Sequence, residues 1–177
     1  MKPSQENYVP SHNGLVVQFV SGDFRSSLVA IRSYKAGELI TPLEGLTKGP
    51  KRYTSVQCGP GDKDHIELNS DLVYINHSCE PNAAFDLSSP NPEYWHLRAL
   101  KPIKVGEALS FFYPSTEWDM DQPFKCECGA PSCIGVIKGA KHLSLSQLAA
   151  RQFVNSYILE LISQRDGQFA GKLQSRL

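Results

Sequence analysis

Apolar residues in the first two thirds of the chain come in short runs separated by turn-forming residues. Leu15-Val16-Val17-Gln18-Phe19-Val20, Leu28-Val29-Ala30-Ile31 and Leu39-Ile40 are divided by Ser21-Gly22-Asp23 and Lys35-Ala36-Gly37-Glu38. Runs of this length, bounded by Gly, Ser and Asp, predict strands joined by tight turns. A Gly- and Pro-rich stretch over 45–61 follows, with candidate strands at Tyr53–Gln57 and His65–Leu68. Tyr94–Leu100 alternates apolar and polar, and Lys104-Val105-Gly106-Glu107 leads into the apolar segment Ala108–Tyr113. The pattern predicts a mainly β domain of small, folded-over sheets without internal repeats, not a parallel α/β fold.

Near residue 144 the period changes. Leu148, Phe153, Val154, Tyr157, Ile158 and Leu161 recur at close to helical spacing. Ser144 or Ser146 can cap the helix, and Asp166-Gly167 is the expected stop. A helix packed on the domain is the simplest use of such a stripe. The tail beyond it carries no pattern and is expected to fray.

Composition narrows the class. The chain has 177 residues, 41% hydrophobic and 20% charged, which suits one globular domain. Eighteen Lys plus Arg balance eighteen Asp plus Glu, so no basic face for phosphate contacts is expected and direct nucleic-acid binding is disfavoured. No apolar run is long enough to span a bilayer, so no membrane partner is expected. The N-terminus, MKPSQENYVPSHNG, is polar and broken by Pro3 and Pro10, unlike a secretory or transit signal. An intracellular, reducing location follows, nuclear or cytoplasmic, in which clustered cysteines point to metal or catalysis before disulfides.

Of the five cysteines, Cys126, Cys128 and Cys133 form Cys-x-Cys-x4-Cys around Gly129 and Pro131. A tetrahedral zinc ion takes four thiolate or imidazole ligands, and closely spaced cysteines on a turn can converge on it. Three ligands leave a fourth to be found, with Cys79 favoured by its surroundings over Cys58 and His142. A closed set of four would make the ion structural, with no open position for catalysis.

Those surroundings read Tyr74-Ile75-Asn76-His77-Ser78-Cys79-Glu80-Pro81-Asn82. A hydrolase with Cys79 as nucleophile and His77 as base is one reading, but adjacent residues seldom align as nucleophile and base, and no third group stands nearby. A polar turn ending a strand accounts for the segment better than a protease site does. A third reading covers more of the chain. Asn76–Asn82 resembles the NHSCxPN motif of SET domains, and Gly106-Glu107-Ala108-Leu109-Ser110-Phe111-Phe112-Tyr113 resembles their GE-x-L-x-F-D-Y segment. Trp118-Asp119, then Phe124 ahead of the cysteine triplet, resemble the post-SET region, and Tyr34–Ile40 resembles the family's N-terminal half.

The resemblance implies a compact SET fold with a pseudoknot-like crossing, a post-SET zinc turn and a C-terminal helix. Its parts would be a flexible N-terminus (1–13), the SET domain (14–117), the zinc segment (118–140) and a helix with tail (141–177). It implies S-adenosylmethionine as cofactor, a structural zinc on Cys79, Cys126, Cys128 and Cys133, and a lysine-bearing protein substrate, a histone among the options. Asn76 and His77 match positions that hold the cofactor, with Ile75 and Ser78 flanking them. Phe124 matches an adenine wall, and Ser26 and Ser27 occupy the stretch where the family has G-x-G. Tyr113 matches the catalytic tyrosine. Phe111 matches a substrate-channel position that influences the degree of methylation, and Trp118 the mouth of the cleft.

Several positions depart from the family pattern. Ser26 and Ser27 replace glycines, Leu43 stands where a tyrosine is usual, Phe112 where an aspartate is, and Val73 where an arginine is. Two alternatives follow: a SET-fold binding protein without catalysis, or a SET-derived enzyme acting on a small molecule. Retention of Asn76, His77 and Tyr113 favours the enzyme, because a scaffold has no use for a tyrosine at the end of the channel.

Overall fold

A computed structural model describes residues 7–174. Twelve short strands and two α-helices follow in chain order: β1 (Leu15–Gln18), β2 (Ser27–Ala30), β3 (Leu39–Pro42), β4 (Thr47–Lys48), β5 (Ser55–Gln57), β6 (His65–Glu67), β7 (Asn76–His77), β8 (Ala83–Asp86), β9 (His96–Ala99), β10 (Ser110–Phe111), β11 (Phe124–Lys125), β12 (Val136–Ile137), α1 (Leu145–Ala149) and α2 (Ser156–Gln174). They form five small sheets, ordered β1-β2, β3-β9-β8, β4-β6-β5, β7-β10 and β11-β12. The mainly β reading therefore holds.

Alternation places the strands. In β1, Leu15 and Val17 are buried and Gln18 is exposed, so the β1-β2 hairpin covers one side of the core. β8 has Ala83, Ala84 and Phe85 all buried, since β9 covers its edge and β10 lies close by. A buried strand without alternation offers no periodic signal, which is why β8 was not expected from sequence.

Two turns build the frame by the same means. In Lys35–Glu38 and again in Lys104–Glu107, the Glu N–H donates to the Lys carbonyl at 3.1 Å. In each, the Glu carboxylate accepts from the Lys N–H, at 2.8 Å for Glu38 and 3.0 Å for Glu107. Gly37 and Gly106 take positive φ, 80° and 84°, where a side chain would be strained. Tyr34 and Ile103, each just ahead of its turn, exchange both backbone hydrogen bonds at 2.9 Å. This local repeat of Lys-x-Gly-Glu escaped the sequence reading, being too short to register as a period.

β7 and β10 pair in parallel, Asn76 opposite Ser110 and His77 opposite Phe111. The Ser78 N–H extends the pairing to the Phe111 carbonyl. The two sequence motifs thus lie side by side, with β8 and β9 inserted between them in the chain.

The C-terminal stripe is not one helix. Ser144 caps α1 with a capping box to Gln147, but α1 ends at Ala149, and α2 starts only at Ser156. The fully buried Asn155 accounts for the break. Its side chain accepts from Leu87 N–H (2.9 Å) and donates to the Phe85 and Ser115 carbonyls (both 3.0 Å). Those bonds set the start of α2 against β8 and the turn after Tyr113. The expected stop at Asp166-Gly167 is also corrected, because α2 continues to Gln174. One interior glycine costs a helix only about 1 kcal/mol, and an aspartate beside it is not a terminator.

The N-terminal segment, expected to be flexible to residue 13, is pinned from Tyr8 onward. Tyr8 Oη donates to Asp71 Oδ2 at 2.6 Å, Ser11 N–H donates to the same oxygen at 2.9 Å, and Val17 N–H donates to Tyr8 Oη. Residues 1–6 of that segment and 175–177 of the tail lie outside the described residues.

Candidate active site

His77 is the centre from which the site is built. Strand β7 presents its ring among Phe112, Tyr113 and Phe124, with centroids 5.7, 5.2 and 5.7 Å away. Its Nδ1 accepts from Tyr113 N–H at 3.2 Å, so the proton belongs on Nε2, 3.4 Å from the Cys79 sulfur. Burial, with the Arg151 guanidinium adding to it, holds the imidazole down to about 4, and the ring is neutral at pH 7.

Tyr113 opens the short 3-10 turn that follows β10. Its hydroxyl donates to the Ile75 carbonyl at 3.1 Å, and its ring lies 4.6 Å from Phe111 and 5.9 Å from Phe124. Burial, reinforced by the Glu117 carboxyl, pushes this phenol up to about 12, so it serves as a neutral hydrogen-bonding group. Phe111 is buried and packs edge-on against Phe85 at 4.8 Å. Asn76 Nδ2 donates to the Ser26 carbonyl at 3.0 Å, tying the loop before β2 to the crossing. Ser26 Oγ is engaged with Val20 N–H, and Ser27 opens β2 opposite Gln18. Asn76, His77, Ser26, Ser27, Tyr113 and Phe124 all remain half-buried, keeping polar and aromatic surface open to a ligand.

Trp118 lies in a different setting. Its N–H donates to Gln57 Oε1 at 2.9 Å, and its carbonyl accepts from Lys141 N–H. A Cβ on Gly139 would meet that carbonyl oxygen at 2.5 Å, so only glycine fits there.

The four sulfurs of Cys79, Cys126, Cys128 and Cys133 lie within 4.8 Å of one another, with Cys79 and Cys126 4.0 Å apart. Four sulfurs around one zinc at ~2.3 Å stand about 3.8 Å apart, so this donor set fits a tetrahedral metal. The β11-β12 hairpin and a Cys126 N–H bond to the Gly135 carbonyl (2.7 Å) form the loop that carries three of them. Burial pushes the Cys79 and Cys126 thiols up, whereas hydrogen bonds from backbone N–H groups and from neighbouring thiols draw Cys128 down in spite of its burial. Neither alternative fourth ligand joins the cluster. Cys58 is a separate half-buried thiol pushed up to about 11 by burial, and His142 pairs with Asp119 at 3.3 Å.

Three polar residues at the site were not anticipated. Asn82, 3% exposed, accepts from Ser110 N–H at 2.8 Å and donates to the Ala108 carbonyl and Glu107 Oε1, locking the two motifs together. Glu117, 9% exposed, takes Gln57 N–H (2.8 Å) and Thr116 Oγ1 (3.3 Å) on one oxygen. Its burial raises the carboxyl to about 7. Tyr157 Oη, donating to the Gln57 carbonyl at 2.5 Å, ties α2 to the same knot. Asn82 belonged to a quoted motif and Tyr157 to the helical stripe. Glu117 carried no signal beyond standing beside Trp118.

Residues 50–114 match the SET domain family. Over 159 residues the chain is 41% identical to methyltransferase flvH of Aspergillus flavus, an alignment covering 87% of this chain and 84% of that protein. The chain belongs to the SET-domain methyltransferase family. It is also 30% identical over 128 residues to histone-lysine N-methyltransferase set9 of Schizosaccharomyces pombe, covering 65% of this chain and 27% of that protein. Histone-lysine N-methyltransferase mes-4 of Caenorhabditis elegans is 27% identical over 149 residues, 77% of this chain and 15% of its own length.

Proposed function

We propose that this protein transfers methyl groups from S-adenosylmethionine to a lysine amine on a protein substrate. The observation that carries the reading is the position of Tyr113, its hydroxyl on the Ile75 carbonyl and its ring among Phe111, His77 and Phe124. Asn76, His77, Ser26, Ser27 and Phe124 would hold the cofactor, which supplies a methyl group on a cationic sulfonium.

The chain's own residues would act through position and polarity. A lysine amine, ordinarily near pKa 10.4, must lose a proton before it can attack. Aromatic walls from Phe111 and Tyr113 desolvate it and favour the neutral form. With the Tyr113 proton directed to Ile75, the phenolic oxygen has lone pairs left to accept from the amine and hold its nitrogen in line with the methyl group. The four cysteines would hold a structural zinc that keeps the post-SET loop in place.

Relatives named as histone-lysine N-methyltransferases support a lysine on a protein, and make a histone the first substrate to try. A nuclear or cytoplasmic location goes with that reading. Among the described residues no helix is long and apolar enough to cross a membrane. The test is calorimetric titration with S-adenosylmethionine, followed by methyl transfer to histones and lysine peptides. Heat of binding and labelled lysine are expected; no binding at millimolar cofactor would contradict the proposal.

A further inference from the structure

The break between α1 and α2 contains a side chain that the fold alone does not require. Arg151 is fixed at its backbone by donation from its N–H to the Leu148 carbonyl at 2.9 Å. Its neighbour Gln152 is anchored by Nε2 on the Leu100 carbonyl at 2.7 Å. From that base the guanidinium reaches two segments far away in sequence. Nη1 donates to the Cys79 carbonyl at 2.8 Å and to Ser132 Oγ at 2.9 Å. Nη2 donates to the Ser132 carbonyl at 3.1 Å. The same cation lies over the Phe112 ring, 4.9 Å from its centroid. Glu80 closes the arrangement, its Oε1 accepting from Ser132 N–H at 3.1 Å.

Cys79 and Ser132 belong to opposite halves of the cysteine cluster. Cys79 comes from the β7 side, and Ser132 precedes Cys133 on the loop between β11 and β12. A planar fork of donors is the side chain suited to joining two backbone segments in one fixed geometry, which the ammonium of lysine cannot reproduce. The loop has little other means of holding itself: β11 and β12 are two residues each, and most residues from 127 to 136 are exposed or half-buried.

We propose that Arg151 is a positioning residue, a latch that clamps the cysteine loop to the Cys79 segment independently of metal. Through that loop it holds Phe124, 5.7 Å from His77, against the site. The effect on metal retention rests on the structural-zinc reading above; the effect on the loop does not.

The experiment is hydrogen exchange of backbone amides in Arg151→Met, Arg151→Lys and Ser132→Ala, each in zinc-loaded and metal-stripped protein. Release of zinc to a chromogenic chelator is followed in parallel. Arg151→Met keeps an unbranched apolar side chain and removes every guanidinium donor together with the cation over Phe112. It is expected to speed exchange across residues 126–137 at least tenfold in the stripped protein, with β1, β2, β8 and β9 unchanged. Zinc release should quicken by a similar factor, Ser132→Ala should show a smaller change, and lysine should restore part of the wild-type protection. Exchange over 126–137 within twofold of wild type in stripped Arg151→Met would overturn the latch, as would faster exchange spread evenly over the whole fold. If wild-type protein takes up no zinc, the metal reading fails while the exchange comparison still decides the latch.

Discussion

The Nε2 of His77 lies 3.4 Å from the sulfur of Cys79, so one imidazole joins the cysteine cluster to the backbone of the proposed catalytic residue. With Nδ1 taken by Tyr113 N–H, the ring is held in a single tautomer and donates toward sulfur. Neutrality suits both contacts, since a second proton would displace the Tyr113 N–H from Nδ1.

His77→Phe keeps an aromatic ring in the cluster and removes both contacts. It leaves the Tyr113 N–H without its partner in a mostly buried setting, a loss of about 1–3 kcal/mol. Urea unfolding should show a lower midpoint with an unchanged slope. A midpoint equal to wild type would mean that the histidine does not organise the turn.

Asn82 is expected to be costlier to lose. Asn82→Ala takes the side-chain partner from Ser110 N–H, the Ala108 carbonyl and one Glu107 oxygen, three part-buried bonds that meet on a side chain only 3% exposed. A destabilisation of roughly 2–4 kcal/mol is expected from several unmet hydrogen bonds at one buried site. Chemical denaturation measures it, and a change under 1 kcal/mol would contradict the role given to this residue.

Glu117 predicts the pH dependence. Its carboxyl ionises near 4.5 when unfolded and at about 7 in the fold, where burial is the main cause. A folded pKa above the unfolded one favours the fold at low pH. That advantage is present below pH 4.5 and is lost as pH rises toward and through 7, on the order of 3 kcal/mol in all. Glu117→Gln keeps an oxygen for the Gln57 N–H and carries no charge. Relative to wild type it should gain stability between pH 5 and pH 8, measured by thermal or urea unfolding. Parallel curves for the two proteins across that range would rule this out.

Much of this arrangement was readable in the chain, and the unreadable part has physical causes. The cysteines and the Asn76–Asn82 motif announce themselves because coordination and a parallel crossing demand particular residue types at fixed spacing. Strands such as β9 show through alternation, and β1 shows as an apolar run bounded by turns. Glu117, Arg151 and Asn155 are single polar residues whose partners lie 72 positions away for Arg151 and Cys79, or 60 for Glu117 and Gln57. No local period encodes such a bond. The helix break was hidden because Phe153 and Val154 keep apolar spacing across it from a non-helical linker, Val154 packing on the core and Phe153 lying under the Arg98 guanidinium, 4.6 Å from its ring centroid.

Metal content separates the cluster from the other thiol. Cys79→Ser should lower bound zinc below one equivalent and weaken the remainder, whereas Cys58→Ser should retain a full equivalent. Atomic absorption on purified protein reads both. Equal zinc in the two variants would remove Cys79 from the ligand set.

The most direct test of the central claim is methyl transfer from labelled S-adenosylmethionine to lysine substrates by wild type and Tyr113→Phe, with cofactor binding measured on both. Loss of the hydroxyl should lower the transfer rate at least a hundredfold while cofactor affinity stays within a few fold, because in the proposed reaction the tyrosine acts on the amine and not on cofactor binding. Transfer at the wild-type rate in Tyr113→Phe, or no transfer by wild type to any lysine while the cofactor binds, would contradict the account.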